Sequence, residues 1–232
     1  GTGTVQTTGA NDITLTADTG PADGAGGIWV QTGGLIDSGQ NIVLNGSDII
    51  AAATADAGID IQANGAIAVL DAAGTIDLNH NAATADTTDM VINGLITSGS
   101  SVTVESRNDI IMGVDGDITS TTVTATDAIT LTADTAAGAL GGIVDMADGT
   151  IVNAGAGLID INADGNIDLG LVTTSNSTAG AVNLNSDNGA ITDADGAAGA
   201  DVTASTGGLV ITAEQGVVDI ETEVAQLNVT NN

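Results

Sequence analysis

Residues Asp127 to Thr135 read DAITLTADT, and the core of that stretch, ITLTADT, occurs once before, at Ile13 to Thr19. A shift of 116 carries Ile13 onto Ile129, and a shift of 115 carries Gly26-Gly27-Ile28 onto Gly141-Gly142-Ile143. Such self-similarity points to two diverged copies of one block, roughly residues 11–126 and 127–232, inside one continuous unit spanning 1–232.

A smaller unit recurs within each block: an apolar-x-apolar triplet followed within a few residues by a Gly or Asn turn. Its copies begin at Ile13, Ile42, Ile59, Ile76, Val102, Ile129, Ile159, Val182 and Leu209. They lie about 24 residues apart on average, with a spread of roughly 17 to 30, which is a solenoid spacing. The strands so defined are short, three to five residues, and the Gly, Asn and Asp between them supply turns. Helix is excluded because Gly, Thr, Val, Asn and Asp are poor helix formers and no 3.6-residue period persists.

Composition agrees with a thin aliphatic core. Hydrophobic residues make up 42% of the chain, with no Phe or Tyr and a single Trp. Mean hydropathy is +0.30, too high for a disordered chain in spite of a formal charge of −29. The absence of Cys excludes a disulfide framework and thiolate metal sites. Thirty acidic residues against one Arg oppose nucleic acid and anionic lipid at long range. Cations, cationic surfaces and neutral glycans remain as partners. No apolar run reaches the roughly 18 residues of a membrane span, and the opening GTGTVQTTG lacks a basic region followed by an apolar one, as in a mature or excised segment.

Short strands recurring in one order distinguish a parallel β-helix from an antiparallel sandwich, whose strands are longer. The expected fold is all-β, a parallel β-helix of about nine or ten coils stacked at about 4.8 Å. Ile, Val, Leu and Ala would form inward ladders, and Asn ladders would bond side chain to side chain at the turns. If Ile28 and Val30 point inward, Trp29 points outward. Residues Thr19–Gly27, Asn79–Asp89 and Gly170–Gly180 are expected to protrude as polar loops. Neither end reads as a cap, so the expected contact at each end is more of the same fold: flanking repeats of a longer chain, or another copy.

The ITLTAD, GGIVDMADGTIVNAGAGLIDINADGNIDL and VNLNSDNGAI stretches resemble the repeat regions of very large secreted bacterial proteins of the filamentous-haemagglutinin type. The similarity runs through nearly the whole chain and lies in Gly/Asn/Asp-punctuated ITL and IDL triplets with almost no Lys, Cys or Phe. It implies a right-handed parallel β-helical shaft, exported to a bacterial cell surface and used in adhesion or in an extracellular fibre.

Chemistry-bearing residues are sparse. Acid pairs such as Asp115 with Asp117, Asp193 with Asp195 and Asp56 with Asp60 are what chance produces among thirty acids. A polysaccharide-cleaving site would also need aromatic platforms and basic residues, so no enzyme is expected. The compact sequences around Asp115 and Asp117, and around Asp193 and Asp195, could offer oxygens to Ca²⁺. Neither matches an EF-hand loop, and solvated acidic turns are the preferred reading. Trp29 is the candidate contact residue for a sugar or a neighbouring subunit, and its counterpart in the second block is Val144 by the 115-residue shift. His80 stands alone, without the second imidazole a His-based metal site needs. The expectation is an extracellular structural protein, a β-helical subunit or shaft segment stacked end to end into a fibre. The alternative is an adhesin shaft that binds a glycan or host surface through its loops.

Overall fold

In the computed structural model, the described residues are 3–7, 9, 11–17, 28–31, 33–46, 57–61, 66–69, 73–80, 89–134, 141–194, 196 and 199–231. They form 24 strands and no helix, and every strand pairing is parallel.

The strands stack into three ladders. The first runs through β1 (Thr4–Gln6), β4 (Leu35–Ser38), β7 (Ala66–Val69), β10 (Leu95–Ser98), β13 (Ile118–Ser120), β16 (Ile151–Asn153), β19 (Leu171–Thr173) and the opening halves of β22 (Val202–Ala213) and β24 (Thr222–Asn231). The second takes β2 (Ile13–Thr16), β5 (Ile42–Gly46), β8 (Ile76–His80), β11 (Val102–Ser106), β14 (Ala128–Ala133), β17 (Leu158–Ala163), β20 (Val182–Ser186) and the closing halves of β22 and β24. The third takes β3 (Ile28–Val30), β6 (Ala57–Ile61), β9 (Asp89–Ile92), β12 (Ile110–Met112), β15 (Val144–Met146), β18 (Ile167–Leu169), β21 (Ile191–Asp193) and β23 (Val217–Val218). The chain visits the ladders in turn and then climbs one level. This is a parallel β-helix of nine levels, the last lacking its third strand among the described residues.

Period-two alternation builds the wall. β14 and β17 alternate half-buried and buried side chains throughout, so one face of each strand points into the solenoid. The second ladder stacks Ile13, Ile42, Ile76, Val102, Ile129, Ile159, Val182 and Leu209, all buried. Each such side chain contributes roughly 1.5–3 kcal/mol relative to exposure. Since each inward residue rests on its counterparts above and below, the core is one column of hydrocarbon rather than a ball.

The corner between the first and second ladders is polar and internally satisfied. Ser98 Oγ donates to Gly74 O at 2.8 Å and accepts from Ser100 N at 3.2 Å. Ser120 Oγ repeats this one level on, donating to Ser100 O and accepting from Thr122 N. Thr174 does so again with Gly157 O and Asn176 N. An inward hydroxyl thus turns the chain while pairing buried backbone groups. Gly155 sits at this corner with φ +58, and an added Cβ would lie 2.8 Å from Thr122 O. Both the left-handed backbone and the close approach require glycine there.

Three sequence expectations change. Eight of the nine triplets share the second ladder, but Ile59-Asp60-Ile61 belongs to the third, opposite Ile28 and Val30. Coil steps are accordingly longer and less even than the triplet spacing suggested, from 18 residues (Leu209 to Leu227) to 34 (Ile42 to Ile76). Second, Gly170–Gly180 is not a protruding loop throughout: it supplies β19, and Val172, Thr174 and Asn176 are buried. Third, the register sets Ile28 in line with Val144 and Trp29 in line with Asp145, one residue away from the GGI-to-GGI alignment. Ile13 and Ile129 do share a ladder, four levels apart. Of the loop expected at Asn79–Asp89, Asn79 and His80 close β8 and Asp89 opens β9, while residues 81–88, like those of the expected loop Thr19–Gly27, lie outside the described residues.

Candidate functional site

Many acidic and amide side chains serve the wall itself. Asp12 Oδ1 accepts from Asn41 N at 3.1 Å and Asn41 Nδ2 at 2.9 Å, and Asn41 Oδ1 accepts from Thr75 N at 3.0 Å. Asp109 Oδ1 accepts from Ile143 N at 2.9 Å, and Asn166 Oδ1 from Ala190 N at 2.9 Å. Each joins a residue to a backbone N–H of the next coil. Side chains also bond from coil to coil within the strands rather than at the turns where Asn ladders were expected: Asn79 Nδ2 of β8 donates to Asn45 Oδ1 of β5 at 3.2 Å, and Asn183 Nδ2 of β20 donates to the Asp160 carboxylate of β17 at 2.9 Å.

The structure separates Asp115 from Asp117. Asp115 is exposed at a turn, whereas Asp117 Oδ1 accepts from Ile151 N at 2.8 Å and belongs to the inter-coil network. Asp193 is different. By register it follows Val30, Ile61, Ile92, Met112, Met146 and Leu169 up the third ladder, and of these Val30, Ile92, Met112, Met146 and Leu169 are buried, so a carboxylate stands where a hydrophobic side chain stood on the levels before it. Its Oδ2 is sealed from solvent. Carboxylate oxygens of Asp193, Asp201 and Glu221 lie within 4.8 Å of one another. Asp201 is buried, and its Oδ2 accepts from Glu221 N at 2.8 Å. Beside the cluster is a cavity of about 330 Å³ lined by Asp148, Ile151, Leu169 and Leu171 together with Asp193 and Asp201.

Three oxygens this close are the donors a hard divalent cation such as Ca²⁺ takes, and among the described residues this is the one grouping of three or more ligand-type side chains. Asp195, the expected partner of Asp193, lies outside the described residues. Asp201 and Glu221 were not legible as partners, because only the coil register brings together residues 20 apart. Asp145 and Asp168 are direct neighbours on the outer face of the third ladder. Partial burial, then the carboxylates of Asp168 and Asp109, push the Asp145 carboxyl above its ordinary range.

The two ends of the stack are the other notable surfaces. At the lower end, among the described residues, β1, β2 and β3 each pair on one side only. Val5 is 46% exposed there, and a cavity of about 290 Å³ opens among Val5, Leu15, Ile28, Val30, Leu35 and Ile36. At the upper end β23 and β24 each pair on one side, with Val218, Leu227 and Val229 exposed. Trp29 lies in β3 opposite Asp60, and His80 ends β8; their side chains are outside the described residues.

No protein-family model, curated protein or solved structure matches this chain. No helix among the described residues is long and apolar enough to cross a membrane.

Proposed function

We propose that this chain is an extracellular structural protein, a β-helical subunit or shaft segment that extends end to end into a fibre. The observation that carries the reading is the ladder system: strands at each level repeat the pairing of the level below, and among the described residues the outermost strands at both ends pair along one edge only. A solenoid of this kind grows along one axis by adding levels, each making only nearest-neighbour contacts. Its outer face is dominated by Thr, Asn and Asp, many bonded to the next coil, which stiffens the wall. The formal charge of −29 keeps neighbouring rods apart. The resemblance of the triplets to filamentous-haemagglutinin-type repeats points in the same direction, to the bacterial cell surface and to a non-catalytic role.

The test is electron microscopy of the purified chain at neutral pH, with and without millimolar Ca²⁺, combined with antibody labelling of intact source cells. Rods of roughly 40 Å or multiples of that length, together with surface labelling, are expected. Compact particles, or antigen found only after lysis, would overturn the proposal. Rods requiring Ca²⁺ would assign the Asp193 cluster a part in assembly.

A further inference from the structure

We infer that the two ends of the coil stack bind each other head to tail between copies of this chain, with β24 of one copy pairing in parallel with β1 and β2 of the next. The inference rests on the reading of the molecule as an extending rod, and supplies its partner surface and register.

The argument is one of position-by-position match. Following each ladder through its pairs, Leu227 stands above Leu209 in the column that starts at Ile13, and Val229 stands above Ile211 in the column that starts at Leu15. Thr222, Glu223 and Val224 end the columns that begin at Val5, Gln6 and Thr7. A further copy placed one level up therefore sets Leu227 against Ile13 and Val229 against Leu15 inside the wall. Outside, it sets Asn228 against Thr14 and Thr230 against Thr16. In the second ladder apolar residues therefore meet apolar ones and polar residues polar ones, whereas in the first ladder Thr222 would face Val5 and Val224 would face Thr7.

Three further observations favour this occupant. Leu227 and Val229 are 56% and 48% exposed at one end, while the other offers an apolar cavity of about 290 Å³ that includes Leu15. The lower strands TVQ, ITLT and IWV carry no ionisable side chain, so the junction escapes the like-charge repulsion expected of so acidic a protein. The one acid in β24, Glu223, falls against Gln6, whose Nε2 already donates to the Asp37 carboxylate on its other side at 2.6 Å. Among the described residues the third ladder stops one level earlier, at β23, so the junction closes two sides of three. A heterologous contact of this kind does not close on itself and propagates as a filament.

The chain has no cysteine, so introduced thiols report the junction cleanly. Asn228→Cys and Thr14→Cys lie at exposed positions and would face each other across it at a separation of about 5 Å, within disulfide reach. Mixing the two single variants under mild oxidation is expected to give a cross-linked heterodimer, and Leu227→Asp in the first variant to lower its yield about tenfold. A Thr230→Cys and Thr16→Cys pair repeats the test should either first variant fold poorly. Cross-linking of Asn228→Cys with itself would overturn the inference in favour of a tail-to-tail dimer. Fibres without a cross-link at either pair would overturn this register while leaving the fibre reading intact. Separate rods that stay monomeric at high concentration would overturn the inference and leave a shaft segment of a longer chain. Compact particles would remove the underlying reading as well.

Discussion

Asn176 gathers more of the buried polar chemistry than any neighbour at its corner. Its Nδ2 donates to Ala125 O and Ala156 O, both at 2.9 Å, and its Oδ1 accepts from Thr178 N at 2.8 Å and from Thr178 Oγ1 at 2.7 Å. Truncation would leave carbonyls of two successive coils without their donor. Asn176→Ala is therefore expected to cost about 2–3 kcal/mol, read from the shift in urea midpoint; an unchanged midpoint would mean that water replaces the amide. Asp145 gives the opposite sign. Its carboxyl is raised by partial burial and by Asp168 and Asp109, so the folded state binds the proton more tightly than the unfolded one. The associated stability is complete below the unfolded-state pKa and is lost as pH rises through the higher folded-state value. Asp145→Asn removes that loss. It should stabilise the protein at pH 7 by about 0.5 kcal/mol, the size of one like-charge cross-strand pair, and flatten the stability profile through the mildly acidic range. Neither role is legible in the sequence, where Asn176 stands out only as the start of the sequon Asn176-Ser177-Thr178, because an Asn or Asp in a chain so rich in both carries no structural signal until the register says what stands above and below it.

Among the strands, the second ladder was readable and the other two were less so, for a physical reason. Second-ladder strands such as β11, β14 and β17 are five or six residues long and place two or three aliphatic residues inward, giving triplets such as Ile129-Thr130-Leu131. Several first-ladder strands instead end in, or are followed by, an inward Ser or Thr that makes the corner, as at Ser98, Ser120 and Thr174, so their pattern breaks where the chain turns. That is why Gly170–Gly180 reads as loop in sequence although Val172 is buried in the wall. β21 is the clearest exception within the third ladder, since Asp193 follows Leu169 in an otherwise aliphatic column. The sequence marked Asp193 as an acid worth testing, but the residues it meets, Asp201 and Glu221, are joined to it only by folding. Replacing it restores the column and removes one of three carboxylates lying within 4.8 Å of one another. Asp193→Leu is expected to stabilise the protein by about 1 kcal/mol in the absence of divalent cations, measured by thermal melting. Millimolar Ca²⁺ that stabilises the parent chain but not the variant would assign the three carboxylates to the cation, and destabilisation in chelator would show that the acid is needed for packing.

At the scale of the whole molecule, a stack of levels predicts which deletions it survives. In the first ladder Val152 and Val172 occupy equivalent positions on successive levels, so removing residues 152–171 excises one complete turn and joins Ile151 to Val172. The strands left behind then meet in register. Val182 lands on Ile129 and Leu184 on Leu131, as both already follow Ile159 and Ile161 in the same columns. Ile191 likewise lands on Val144. The apolar columns are conserved, and the corner hydroxyl of Thr174 follows that of Ser120. Because each level contacts only its neighbours, the shortened chain should fold, keep its β circular dichroism and lose about 4.8 Å of length. Removing residues 152–161 alone takes away Val152, Ile159 and Ile161, leaving only Ala163 of the inward side chains of β16 and β17, but keeps the third strand of that level. β18 would then have to follow the first ladder without a second, misplacing the levels above it. Limited proteolysis should find the 20-residue deletion as resistant as the parent and the ten-residue one cleaved throughout its C-terminal half. Equal sensitivity of the two would mean that the coils depend on contacts beyond their neighbours, and that the molecule is a fixed body rather than a repeat that can be lengthened.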